Sequence, residues 1–382
     1  AFAAAVFMIL VAIAPVGIEK YTLRLLPALL ERRDWSTARG FLSFAVRRTL
    51  VTSVIVALLG LVGVLLWRDA SPTMRVTLTL ACLAVPAAVL THVGLEILAA
   101  VGKEVLAAAM LRVLLPIAVL ITFLGLSAAS PGPTAPLAIA AWAVVWVAAV
   151  PLMLSTIRPA MPRGVWGAEL AAADPQWKRD ARVFWIHRIA VTSMAQMSII
   201  VLELMTATMV TVASYAAALA TAAPAVAVVA ATNRIYARRL AIELERRDGV
   251  RLVELHVGRL RWVVPVVATF VLAMFVFAPE IMSLFGPGFV TEGTGPLRIL
   301  AAAGGFGMIF ALAPTHLKFM HQRSTITRAN VVAGAIQVGL LALLIPRFGA
   351  TGAALAHAVA TVGLYGTLAF AASRAAKRVL HN

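Results

Sequence analysis

Among the ionisable side chains that stand in long apolar runs, where a charge is costly, are Glu96, His187, Arg188 and Glu203. Glu96 interrupts Leu95-Glu96-Ile97-Leu98 and is the most interior carboxylate of the first half. His187 and Arg188 lie a turn or two inside the run 183–203, and Glu203 closes it. A charged group inside a membrane span is a functional candidate by default, because hydrocarbon penalises it unless a partner or a wet cavity receives it. The chemistry offered is binding. The planar guanidinium of Arg188 suits bidentate contact with a diphosphate, or it snorkels to the nearer interface. Glu203 is placed to cap the following helix, accept a proton or couple an ion. Glu96 is either an intramembrane coupling carboxylate or the partner of Lys103 or Arg112. Arg24 and Arg234 stand just beyond two apolar runs, where they attract an anion to a mouth or simply set topology. Chemistry of bond-making is missing. His92 and His316 have no companions at ligand spacing, Cys82 is the single cysteine, and no P-loop or Ser/His/Asp arrangement appears. No metal, cofactor or enzymatic activity is therefore expected.

The elements that position these residues follow from composition. Hydrophobic residues make up 62% of the 382 and charged residues 13%, far from the balance of soluble domains. A mean hydropathy of +0.95 leaves more apolar surface than a globule can hide, so the chain reads as an all-α integral membrane protein. Runs long enough to span occur at 2–18, 50–67, 76–101, 105–126, 137–157, 183–203, 206–232, 262–285, 296–317, 328–346 and 351–373, about eleven spans. Every second connector is rich in Lys and Arg: 19–49, the turn at Lys103, 158–182, 233–261, 318–328 and the tail. The positive-inside rule puts these, and the C-terminus, in the cytoplasm of a cell with an inner membrane. It also accounts for the net charge of +17 without nucleic acid. Pro86, Pro224 and Pro314 fall inside spans and should kink them, with Pro224 and Pro314 as hinge candidates. The basic amphipathic stretches 20–33 and 236–248 are expected to lie along the inner membrane surface.

The chain repeats itself. Glu31-Arg32-Arg33-Asp34 follows the first span and Glu245-Arg246-Arg247-Asp248 the seventh, while Thr91-His92 in the third corresponds to Thr315-His316 in the ninth. An even offset of spans gives parallel repeats related by an axis along the membrane normal. The register leaves the run 183–203 without an upstream partner and implies one further helix before Ala1. The expected organisation is an N-lobe over 1–157, a cytoplasmic linker over 158–182 and a C-lobe over 183–382.

Three segments carry a family likeness: Val212-Ala-Ser-Tyr215-Ala-Ala-Ala-Leu219 with Glu203 before it, Leu284-Phe285-Gly286-Pro287-Gly288-Phe289, and Pro346-Arg-Phe348-Gly349-Ala-Thr-Gly352-Ala-Ala354-Leu-Ala356. They resemble the multidrug/oligosaccharidyl-lipid/polysaccharide exporter superfamily, and in particular its polysaccharide flippase branch. The major facilitator plan fits less well, because its short Gly-x-x-x-Asp-Arg loop is replaced by a long connector at 19–49. The resemblance implies two six-helix lobes that move a polyprenyl-diphosphate-linked oligosaccharide outward by alternating access, with polysaccharide-assembly enzymes and membrane lipids as partners. It makes Arg188, His187, Arg24 and Arg234 a cationic cleft for the diphosphate. The same superfamily implies an alternative, a cation-coupled multidrug antiporter, for which Glu96 is the best carboxylate. A membrane glycosyltransferase is disfavoured by the short outer connectors.

Overall fold

The computed structural model describes the chain except residues 131, 206–207, 224–235, 237–239, 241–248, 321 and 382. All regular structure among the described residues is helical. Among the described residues six helices are long and apolar enough to cross a membrane, and a bent pair adds a seventh. One of the six, within a 59-residue element, contains two of the expected spans, and the remaining expected spans fall on shorter or more polar helices. Leu65, Ile121 and Leu343 are each more than 60% exposed, as lipid-facing side chains are and solvent-facing ones seldom are. The chain is a multi-pass membrane protein. Its contacts divide it into two units, residues 3–192 and residues 1–2 with 193–382. The segment 158–182 and the start of the following helix thus pack with the first unit.

The first unit comprises α1 (Phe2–Ile13), α2 (Ile18–Glu31), α3 (Trp35–Leu66), α4 (Pro72–Ala100), α5 (Glu104–Ala128, with a π-turn at Met110–Leu114), α6 (Ala135–Ala160), the short α7 (Arg163–Gly167) and the opening of α8 (Pro175–Met205). Three starts are set by side-chain caps. Asp34, Ser71 and Thr134 accept from the backbone N–H of Thr37, Met74 and Leu137 at 3.2, 3.2 and 3.4 Å, satisfying donors that a helix start leaves orphaned. Two of these starts also place a proline in the first turn, where its missing N–H costs nothing. α4 is the central helix: over half of its apolar window is buried, against about a tenth for α5. Gly94, Val85 and Val89 on α4 meet α6 and α1, and Phe7 packs on Trp142 with ring centroids 4.5 Å apart.

α1 and α2 form one span broken by a 43° bend. At the bend Val16 and Gly17 take φ of +48° and +77°, so the run from Pro15 through Gly17 stops one helix and starts another. α2 is amphipathic, as the sequence suggested, but its apolar face is part of the core rather than an independent surface element. Ile18, Tyr21, Leu26 and Leu29 join Phe41, Leu98 and Trp177 in one buried cluster.

The second unit holds the rest of α8, then α9 (Met209–Ala222), α10 (Gly249–Val276), α11 (Ala278–Ser283), α12 (Pro287–Ile309), α13 (Ala313–Phe319) and α14 (Arg323–His381). α12 is its hub, packing on α9, α10 and α14. α14 contains the two last expected spans, folded across Gly349, which has φ +50° and ψ −127°. Beside it, a Cβ on Gly352 would lie 2.3 Å from the Leu344 carbonyl oxygen. The resemblance at 346–356 thus rests on glycines that a tight break between two helices requires. The ninth expected span is also broken, at Phe310–Leu312, and Pro314 lies in the first turn of α13 rather than within a continuous helix. It starts the second half of the span, where proline is tolerated. Pro86, by contrast, sits inside an unbroken α4. Pro224 lies outside the described residues, as does most of 236–248.

Candidate functional site

A helix that breaks inside an apolar environment exposes carbonyls, and each needs a partner. At the α1–α2 break the indole N–H of Trp185 donates to the Ile13 carbonyl at 2.8 Å, and the Thr52 hydroxyl donates to that of Ala14 at 2.6 Å. α8 runs close past the bend, so that a Cβ on Gly17 would lie 2.0 Å from the Ala181 carbonyl oxygen.

The break puts three consecutive side chains of the first turn of α2 against α4 and α8. Glu19, fully buried, receives the Arg188 guanidinium on Oε1. Lys20 pairs with Glu96. Tyr21 donates its hydroxyl to Asp180 at 3.1 Å. The positive end of the α2 dipole favours a carboxylate at Glu19, and the Arg188 charge makes its burial tolerable. The pair is incompletely satisfied: Glu19 Oε2 and Arg188 Nε have no hydrogen-bond partner among the described residues. It therefore has the valence to receive one more group, a proton or cation on the carboxylate. His92, one turn before Glu96 on α4, rests against Trp146 with ring centroids 5.2 Å apart.

The expected residues are thus partly brought together. Arg188 and Glu96 belong to one polar cluster, but Glu96 pairs with Lys20 and not with Lys103 or Arg112. The reason is the continuation of the span past residue 18, which carries Lys20 alongside α4 instead of into a connector. Arg24 is exposed on α2, two turns from the break. The His187 side chain and all of Arg234 lie outside the described residues. Glu203 does not cap the next helix: the residue at that start is Thr208, whose hydroxyl meets that of Thr211 at 2.7 Å.

Two residues escaped the sequence reading. Glu19 sits at the end of an apolar run beside Lys20, which made it look like part of a basic connector; Pro15 and Gly17 just before it were the available sign that the span continues. Arg259 was counted among the topology charges of 233–261. It is 3% exposed and donates to the carbonyls of Ile309 and Met308 at 2.6 and 3.0 Å, closing the C-terminus of α12 at the second break. A third polar point lies on α14, where Gln337, buried, donates to the Met194 carbonyl at 2.8 Å and to Ser198 at 3.1 Å. Among the described residues no His, Cys, Asp and Glu cluster suits a metal.

Comparison with known proteins places the architecture. No family model matches the chain, and no curated protein matches it in sequence. Solved structures do. A multidrug resistance MATE family transporter of the MOP superfamily in its inward-facing conformation superposes with a TM-score of 0.71 at 13% identity, over 99% of this chain and 90% of that one. A MATE protein in complex with MaD5 gives 0.70 at 14%, over 99% and 89%. The Vibrio cholerae MATE transporter VcmN in its bent form gives 0.64 at 14%, over 100% and 87%. The chain has the two-lobed helical membrane fold of these transporters.

Proposed function

We propose that the chain is a secondary exporter that expels amphipathic organic cations in exchange for an inward proton or sodium ion, with Glu19 as the coupling carboxylate. The observation that carries this reading is the buried Glu19–Arg188 pair with its one open carboxylate oxygen. An ion or proton that neutralises Glu19 leaves the partly buried Arg188 without its counter-charge, which raises the free energy of this arrangement. The relief available is movement at the α1–α2 break, where the backbone is already interrupted. The MATE likeness supports the same class. On the positive-inside argument the basic connectors and the C-terminus face the cytoplasm and the protein sits in the inner membrane.

Flipping of a lipid-linked oligosaccharide is the second reading, and it rests on the segments 212–219 and 346–356. It requires free cations for the diphosphate, and Arg188 is already engaged by a carboxylate.

The deciding experiment uses proteoliposomes of the whole protein under an imposed proton or sodium gradient. Gradient-dependent expulsion of a fluorescent organic cation, lost in Glu19→Gln, supports the antiporter. No dye movement, together with leaflet exchange of a fluorescent polyprenyl-diphosphate-oligosaccharide read by an impermeant quencher, sinks it in favour of the flippase.

A further inference from the structure

The second unit contains a cavity of about 400 Å³, within the range of ligand sites and built from none of the ion-pair residues above. It lies where the first turns of α10, the α12–α13 break and the end of α14 come together. Its floor and its rim differ in chemistry. His316 and Arg259 are 1% and 3% exposed, while the lining residues Val257 and Leu260 are 42% and 36% exposed. Among the described residues neither ring nitrogen of His316 has a hydrogen-bond partner, and nor does Arg259 Nε. In either neutral tautomer His316 offers one N–H, and Arg259 adds a fixed positive charge. A second imidazole, His256, stands 5.5 Å from His316 by ring centroids, with Nδ1 held at 2.8 Å by the Leu252 carbonyl. Among the described residues of the lining there is no Asp or Glu.

We propose that this cavity binds an acidic amphiphile from the bilayer, its anionic head at the floor against His316 and Arg259 and its alkyl chain resting on Val257 and Leu260. Unpaired buried donors with no carboxylate among the described lining residues select an anion. An exposed apolar rim on a membrane-facing helix selects an aliphatic tail, so the ligand arrives from the lipid phase. Carboxylate and phosphate monoester heads share this chemistry. The site is independent of transport, and binding at it needs no gradient.

The test is photolabelling of the whole protein in proteoliposomes with a diazirine-bearing long-chain fatty acid, followed by peptide mapping. Label is expected in 252–260 and 369–376, displaced by unlabelled fatty acid or by an alkyl phosphate but not by the matching alcohol. His316→Leu removes the floor donor and should lower the labelling about tenfold. Ser373→Trp, at an exposed lining position, obstructs entry without touching the core and guards against a folding artefact. Whichever acid competes better identifies the head. Equal competition by the alcohol, label elsewhere only, or label that survives both variants overturns the proposal.

Discussion

Glu19 and Arg188, 169 residues apart in the chain, form an ion pair in which the carboxylate is fully buried and the guanidinium is 22% exposed. The asymmetry has an energetic consequence. Removing the arginine strands a charge that has no water to turn to, whereas removing both charges strands nothing. Arg188→Gln should destabilise the protein by about 3 kcal/mol, and Glu19→Gln added to it should restore most of that loss. Thermal unfolding of the two variants in detergent checks this. A double variant no more stable than the single one would show that the pair is not coupled.

The bend at Gly17 makes a sharper demand. Its φ of +77° strains any other L-residue, and a Cβ there would sit 2.0 Å from the Ala181 carbonyl oxygen. Backbone cannot move aside as a flexible side chain can, so strain and clash add. Gly17→Ala is expected to cost more than about 2 kcal/mol and to lower the yield of folded protein in the membrane. The measurement is the fraction recovered monodisperse, with the unfolding midpoint of whatever folds. A Gly17→Ala protein of unchanged stability would mean that α8 does not pass the bend as closely as described.

Asp34 gives a pH dependence whose sign can be worked out. Its carboxylate, at the start of α3 and outside the spans, accepts from the Thr37 and Ser36 side of the first turn. Those hydrogen bonds, the Thr37 contacts first, hold its pKa below the ordinary 3.8. A carboxyl group with a depressed folded pKa stabilises the fold above its unfolded pKa and loses that contribution as pH falls through the folded value. The wild type should therefore lose stability as pH drops below about 4. Asp34→Ser keeps a capping oxygen without a titrating group, and its stability profile over the same window should be flatter. Parallel profiles for the two proteins would remove the cap from the acid response.

Much of the fold was legible because lipid imposes long apolar runs, and these survive in the helices. What escaped was where spans break. Pro15-Val16-Gly17 ends an apolar run in a way that reads equally well as an exit from the membrane. Only Trp185 and Thr52, distant in sequence, reveal that the freed carbonyls of Ile13 and Ala14 are satisfied internally. Missing the break hid Glu19 and Lys20, and with Lys20 the partner of Glu96. Arg188 was recognisable from its place inside a span, but its role could not be read, because an arginine awaiting a diphosphate and one neutralised by a buried carboxylate have the same local sequence. Arg259 was hidden by its company: eight basic residues share its connector, and periodicity does not say which of them turns inward.

Arg259 also allows a local test of the second break. Its two N–H groups close the Ile309 and Met308 carbonyls at 2.6 and 3.0 Å, a fork that a lysine ammonium cannot reproduce. Arg259→Met leaves two helix-end carbonyls buried without donors, at a cost of about 1–3 kcal/mol each, while Arg259→Lys keeps the charge and satisfies at most one well. The loss should be felt where α12 meets α13, not across the molecule. Amide hydrogen exchange over 310–319 should therefore accelerate in Arg259→Met, less in Arg259→Lys, while exchange in α4, the unbroken counterpart helix of the first unit, stays as in the wild type. Equal acceleration in both helices would mean that Arg259 supports global stability and that the break does not depend on it.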